Sequence, residues 1–415
     1  MKLNEKQERA FNECVAGKNV FLTGSGGVGK SVLSLRLKEH FEHNAVFLAP
    51  TGIAALNIEG ATCHRTFGLP FSIASEEDFW NINPMTKDLF YDNTITTIII
   101  DEISMVRADM FICMDRKLRQ IKDLELPFGG LQIIVIGDFF QLPPVLTQRD
   151  EDAYYQIYDS LYAFGTGSWD ECKFELIELD QVMRQNDIPT IRALNCIRRG
   201  IKSDVIINWI NKQCEGVVLA EDAITLCTTN ANASNINSMY YDENDHPEHT
   251  FWAQTTGRFN EQPVDKELKL KVGIRVVLCA NGAMQGYSNG QCGEITDIDP
   301  ECITVMLDTG YSVKVEPHKW ESYAYKVTGR RLSKQVDGTF KQFPLKLGYA
   351  ITIHKAQGVT LDECILDLGN GAFVHGQTYV ALSRIRALNT LELERPIYES
   401  DIIVDPEVIE FYSQF

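Results

Sequence analysis

The residues with the plainest chemistry are Gly24, Ser25, Gly26, Gly27, Val28, Gly29, Lys30 and Ser31, which read GSGGVGKS. They follow the apolar run Val20–Thr23 and precede SVLSLRLKEHF, whose apolar residues recur at helical spacing. A strand, a glycine-rich loop and a helix in that order form a phosphate-binding loop: backbone N–H groups and the helix N-terminus cradle the phosphates. Lys30 is placed to reach the terminal phosphates, and the Ser31 hydroxyl to ligate Mg²⁺. Such a loop needs a carboxylate at a neighbouring strand end. TTIIIDEISM (96–105) supplies Asp101 to hold the metal and Glu102 to polarise an attacking water. A third apolar run, IIVIGDFFQLPPV (133–145), ends in Gln141, a group able to sense the γ-phosphate, with Pro143 and Pro144 keeping the loop from becoming helical.

These residues must be held at the ends of strands. Val20–Thr23, Val46–Ala49, Thr97–Asp101 and Ile133–Asp138 are short, almost wholly apolar and rich in β-branched residues, as buried parallel strands are. Alternation with helical segments predicts an α/β fold, with the ligand at the carboxyl ends of the strands. A second alternation is read from KFELIEL (173–179) through AITLCTTN (223–230) to ECILDLG (363–369). Between its parts, residues 270–345 show short strands joined by Gly, Asn and Asp turns, the pattern of a small inserted β-barrel.

The 415 residues are 44% hydrophobic and 23% charged, an ordinary globular composition for two or more domains. No run approaches the ~18 apolar residues of a membrane span, and the first eleven residues, MKLNEKQERAF, contain no apolar leader core. Eleven cysteines without a C-x-x-C pair fit a reducing, cytoplasmic or nucleoid setting and give no zinc spacing; adjacent Cys63 and His64 are a poor metal pair. The net charge of −18 argues against a generic nucleic-acid coat, although a local basic groove fits within an acidic surface.

Nine blocks in order extend the reading: LNEKQERA (3–10), GSGGVGKS, APTGIAALNIEGATCHRTFG (49–68), DEISM (101–105), GDFFQLPPV (137–145), LDQVMRQ (179–185), LNCIRRG (194–200), LKLGYAITIHKAQGVTLD (345–362) and TYVALSRIRALNTL (378–391). Together they resemble the superfamily 1B DNA helicases of the Pif, Dda and RecD type, over nearly the whole chain, with LNCIRRG resembling the signature of the Pif branch. Met183 stands where that group usually has an aromatic residue, and Cys63 where it has a larger aliphatic one.

The resemblance implies two RecA-like motor domains with parallel sheets. Domain 1 would span 1–170, with an insertion at 68–93; domain 2 would comprise 171–269 and 346–415, with the β-barrel at 270–345 inserted. It implies an ATP- and Mg²⁺-dependent enzyme that translocates 5′ to 3′ on single-stranded DNA and opens tailed or forked duplex during replication, repair or recombination. The expected working form is a monomer. Gln7 would read the adenine, Gly358 would lie on the nucleotide side, and Arg184 and Arg384 would be arginine fingers supplied by domain 2. Thr51, His64, Thr66, Phe67 and Pro70 in domain 1, and Thr352, His354 and Lys355 in domain 2, would line the DNA track. Phe79, Trp80 and Met85 are candidates for the wedge, and Trp320 and Tyr323 for barrel contacts with DNA. Two other functions remain open from sequence: a DNA-stimulated translocase that remodels protein–DNA complexes with little unwinding, and a non-motor binding module switched by ATP.

Overall fold

The computed structural model describes residues 3–182, 187–219, 223–259, 262–282, 285–287, 289–328 and 331–415. Two compact units are present. Unit one consists of Met1–Met183, Glu321–Gly338 and Pro406–Phe415; unit two consists of Arg184–Trp320 and Thr339–Asp405.

Unit one is built on a six-stranded parallel sheet. Its strands are β1 (Val20–Gly24), β2 (Ala45–Ala49), β3 (Ala61–Thr62), β4 (Thr97–Ile100), β5 (Gln132–Ile136) and β6 (Glu175–Leu179), in the order β3-β2-β4-β5-β1-β6. β1, β2 and β4 are buried along their whole length, which is why they read as apolar runs without alternation. Leu22 pairs with Ile136 and Ile100 with Val135, so β1, β4 and β5 end level with one another. The segments carrying Lys30, Asp101 and Gln141 all leave from that edge.

Seven helices of unit one bear on the site: α1 (Glu5–Val15), α2 (Lys30–His40), α3 (Gly52–Asn57), α4 (Cys63–Phe67), α5 (Glu76–Trp80), α6 (Pro84–Phe90) and α7 (Ala108–Lys122). Their starts follow from local chemistry. Asn4 and Gln7 form a reciprocal capping box on α1, Thr51 and Thr62 cap α3 and α4, and Asn83 followed by Pro84 opens α6.

Unit two holds a four-stranded parallel sheet of Ala350–Thr352, Thr225–Cys227, Cys364–Asp367 and Leu391–Leu393, in that spatial order. The segment expected as a barrel folds as a five-stranded antiparallel meander of Ser312–Val315, Ile303–Leu307, Cys292–Ile298, Arg275–Leu278 and Leu345–Leu347 around its own apolar core.

Three boundaries differ from the sequence expectation. Glu175–Leu179 pairs with Val20–Gly24, so it closes the first sheet instead of starting the second. The long strands His318–Thr328 and Arg331–Gln342 carry Glu321–Gly338 out of the expected barrel and into unit one, where Asp337 pairs with Arg65. The C-terminal helix Pro406–Ser413 also packs in unit one, not in domain 2. Its Phe411 ring lies 4.2 Å from Phe164 and within 6.0 Å of Phe21, Phe139 and Trp169, an aromatic nucleus assembled from four distant segments.

Candidate active site

The phosphate loop needs its glycines for two different reasons. Gly27 and Gly29 have φ of 81° and 82°, a region closed to most side chains. At Gly24 the limit is space, since a Cβ would lie 2.3 Å from the carbonyl oxygen of Leu179. The first turn of α2 follows, with N–H groups that its helix does not itself satisfy. Lys30 Nζ donates to the carbonyls of Gly24 (2.6 Å) and Ser25 (3.0 Å), holding its ammonium over the loop. Ser31 is exposed.

Glu102 sits at φ 52° and ψ 47°, a left-handed conformation uncommon for a residue with a side chain. Its N–H donates to Asp101 Oδ1 at 2.9 Å, fixing the two carboxylates as neighbours. Burial and the adjacent Glu102 push the Asp101 carboxyl up to about 7, against the pull of the Glu102 N–H and the Lys30 ammonium. A carboxyl held this way, with a second one beside it, fits a divalent cation, which prefers hard oxygen ligands. Asp101 and Ser31 are the residues that would hold Mg²⁺.

The strand ending at Ile136 leads to Gly137, where a Cβ would crowd Ile103 Cγ2 at 2.9 Å. The close approach brings this loop against the turn that follows Glu102. Asp138 is fully buried; its carboxylate accepts the Phe140 N–H at 3.2 Å and its carbonyl accepts the Gln141 N–H at 2.9 Å. These bonds shape the loop that bears Gln141.

Gln7 departs from its expected role. It is only 1% exposed, its Oε1 accepts the Asn4 N–H at 3.0 Å, and its Nε2 faces the carbonyls of Gly29 (3.3 Å) and Val28 (3.5 Å). The amide braces the phosphate loop and presents no open edge to a base.

Among the DNA-track residues of unit one, Thr51, His64 and Pro70 are half-buried. Thr51 Oγ1 also accepts the Ala54 N–H of α3 at 3.3 Å. Thr66 and Phe67 are corrected. Both are buried, Thr66 uses its carbonyl to accept the Thr86 hydroxyl, and the Phe67 ring stacks on Phe90 at 5.4 Å, leaving no face for a base. Phe71, which sequence reasoning missed, takes the exposed position. It is 83% exposed and stacks on the His64 ring at 4.9 Å with the planes 13° apart. Its loop is bolted down by a buried pair. Asp109 accepts Arg107 Nε and Nη2 and the Ala74 N–H, all at 2.8 Å, while Arg107 Nη2 also donates to the Ser72 carbonyl at 2.8 Å. Burial, with Arg107 adding to it against Asp109, holds His64 below the usual imidazole range. Of the wedge candidates, Trp80 and Met85 are exposed and Phe79 is half-buried.

In unit two, Lys355 and Gly358 are exposed and His354 is half-buried, whereas Thr352 is buried and its Oγ1 accepts the Lys355 N–H at 3.3 Å. Arg384 does not stand out as a finger. It is 2% exposed; Nε donates to the Val380 carbonyl at 2.8 Å, Nη1 to that of Ala356 at 3.3 Å, and Nη2 to Ser383 Oγ at 2.6 Å. Arg184 lies outside the described residues. Trp320, a suggested DNA contact, is buried edge-on against His318, and Tyr323 donates to Glu321 at 3.0 Å. Among the described residues no group of three or more His, Cys, Asp or Glu side chains is gathered as a metal site.

Known proteins resemble this chain in sequence and in fold. Residues 2–222 match the family model described as PIF1-like helicase. The ATP-dependent DNA helicase Pif1 of Campylobacter jejuni is 32% identical, with 97% of this chain and 96% of that protein covered. The crystal structure of Bacteroides sp. Pif1 in complex with ADP-AlF4 has a TM-score of 0.90 at 33% identity, covering 100% of this chain and 97% of that one. For Bacteroides Pif1 bound to ssDNA the TM-score is 0.72, at the same identity and coverage. The two parallel-sheet units are RecA-like domains, and the chain belongs to the PIF1-like helicase family.

Proposed function

We propose that this chain is an ATP-dependent DNA helicase that translocates 5′ to 3′ on single-stranded DNA and unwinds the duplex ahead. One observation carries the reading: the phosphate loop, the left-handed Glu102 beside Asp101 and the Gln141 loop leave from one level edge of one sheet. Relatives of the same fold have been captured with ADP-AlF4 and with ssDNA. The 5′ to 3′ polarity rests on the resemblance of the motif blocks.

Each residue has a proposed task. Lys30 neutralises charge on the terminal phosphates, and Ser31 and Asp101 hold the Mg²⁺ that accompanies ATP. That ion, when bound, supplies Lewis-acid stabilisation of phosphate charge. Glu102 orients and polarises the attacking water, and its strained backbone fixes the carboxylate for that task. Gln141 reports the γ-phosphate. Arg184 and Arg384 complete the charge stabilisation; for Arg384 this requires exchanging its carbonyl partners for phosphate oxygens. His64 and Phe71 offer a stacking platform for bases, and Thr51, His354 and Lys355 offer polar contacts along the strand. One chain carries both halves of the motor, so a monomer is the proposed working unit, and its eleven free cysteines suit a reducing compartment.

The test uses two partial duplexes, one with a 5′ single-stranded tail and one with a 3′ tail, in the presence of ATP and Mg²⁺. Opening of the 5′-tailed substrate alone is the expected result. Opening of the 3′-tailed substrate alone refutes the polarity. Robust DNA-stimulated hydrolysis with neither duplex opened refutes the unwinding activity and leaves a translocase.

A further inference from the structure

The C-terminal residues Pro406–Phe415 belong to unit one, and nothing in the chemistry above uses them. One of their side chains nevertheless touches two elements of the nucleotide site. The Tyr412 hydroxyl lies 2.7 Å from Thr23 Oγ1 and 3.3 Å from the backbone N–H of Phe139. Its ring stacks on Phe140 at 4.6 Å, with the planes 18° apart. Thr23 is the residue before Gly24 of the phosphate loop, and Phe139 stands two residues before Gln141.

We propose that Tyr412 is a positioning residue for ATP turnover, tying the strand that enters the phosphate loop to the loop that carries Gln141. A phenol has one hydrogen to donate and two lone pairs to accept with. It accepts the Phe139 N–H and shares a second hydrogen bond with Thr23. Thr23 is fully buried, so loss of the phenol oxygen deprives its hydroxyl of this partner away from water. The backbone ladder between the two strands reaches Gly137, whose N–H donates to the Leu22 carbonyl at 3.0 Å. Past that point the chains must diverge to surround a phosphate, and Tyr412 adds a link beyond the ladder. The stacked ring fixes Phe140, next to Gln141, in the same stroke. A small displacement of Gln141 relative to the phosphate loop would leave ATP bound and slow the chemical step.

The proposal rests on the reading of Gln141 as the γ-phosphate sensor. The test measures kcat and KM for ATP hydrolysis with a saturating oligo-dT strand in four variants. Gln141→Ala tests that reading. Tyr412→Phe keeps the ring and removes both polar links. Thr23→Val removes one link from the other side, and serves if Tyr412→Phe does not fold. Val408→Ala, at a fully buried position of the same helix, loosens that helix without removing either link. Tyr412→Phe is expected to lose about tenfold in kcat with KM for ATP within about twofold of the parent, the pattern of a misplaced group. Tyr412→Phe and Thr23→Val combined should be no worse than the more impaired single variant, because they break the same contact. Val408→Ala should lower the unfolding midpoint and spare kcat. Full turnover in Gln141→Ala would remove the sensor reading and the proposal with it. Impaired turnover in Gln141→Ala with full turnover in Tyr412→Phe would overturn the proposal alone, as would an equal kcat loss in Val408→Ala.

Discussion

Lys117 lies in the interior of unit one, 1% exposed, and is the natural place to separate strand opening from ATP hydrolysis. From α7 its ammonium donates to the carbonyls of Phe67 and Asn81, both at 2.9 Å, and more weakly to that of Gly68 at 3.5 Å. Phe67 and Gly68 end α4, and Asn81 ends α5, so one cation pins the two helix ends that bracket the start of the insertion. In Lys117→Met the side chain keeps its length and loses its charge. Two short bonds from a charged donor are worth roughly 1.5–3 kcal/mol each, or about 3–6 kcal/mol together. Burial holds the ammonium below the usual lysine range, with Cys113 and Asp78 pulling the other way, so part of that gain already offsets desolvation. Gly68 and Asn81 are exposed and can regain water. The net loss should be about 2–4 kcal/mol, concentrated in the insertion. Urea unfolding should show it as a lower midpoint. DNA-stimulated hydrolysis should stay within about twofold, while opening of the 5′-tailed duplex falls by about tenfold or more, because the exposed Trp80 and Met85 ride on the loosened segment. A stability change below about 0.5 kcal/mol would refute the energetic argument. Hydrolysis and opening falling in parallel would refute the assignment of strand opening to the insertion.

Four further expectations are more direct. Lys30→Ala should abolish single-strand-stimulated hydrolysis and keep the fold; surviving hydrolysis would refute the phosphate-loop roles. Arg384→Ala should lower kcat by roughly 10³ or more while ATP binding changes little, the signature of an arginine finger, and turnover near that of the parent would leave Arg384 a structural residue. Phe71→Ala should weaken oligo-dT binding, read by fluorescence anisotropy, by about 1–3 kcal/mol if one base stacks there; unchanged affinity would remove the platform. Three half-buried histidines should also cost stability as pH drops below about 6.5, the ordinary imidazole value. Burial lowers the pKa of His64, His318 and His354, so the unfolded chain takes up protons in a range where the folded chain resists them. Asp101, held up near 7, acts in the opposite sense over the same range, so the check compares urea midpoints at pH 7.5 and 5.5 in the parent and in a variant with all three histidines replaced by Gln; a pH profile left unaltered by that replacement would contradict it.

The parts legible from sequence are those encoded locally. The apolar strands, the phosphate loop and the acidic pair after Ile100 announce themselves because glycine conformations, strand burial and charge placement each restrict residue type within a few positions. What escaped depends on partners far along the chain. Glu175–Leu179 looks like the start of a new domain until it is paired with Val20–Gly24. Phe67 and Phe71 are equally good stacking residues on paper, and only the contact with Phe90 turns Phe67 inward. Arg384 carries the expected charge, yet its partners include the carbonyls of Val380 and Ala356, which have no sequence signature. Nothing in PEVIEFYS shows that it completes the core behind the nucleotide site.

That discontinuous core also has a consequence during synthesis. Domains fold as the chain emerges, at roughly 5–20 residues per second. The residues up to Met183 can form the six-stranded sheet, but Phe411 emerges about 230 residues after them, on the order of 10–50 seconds later. Until then the face formed by Phe21, Phe139, Phe164 and Trp169 waits uncovered. A nascent or prematurely stopped chain would therefore display an aromatic patch next to an otherwise finished phosphate loop, a surface on which chaperones and proteases can tell the incomplete motor from the complete one.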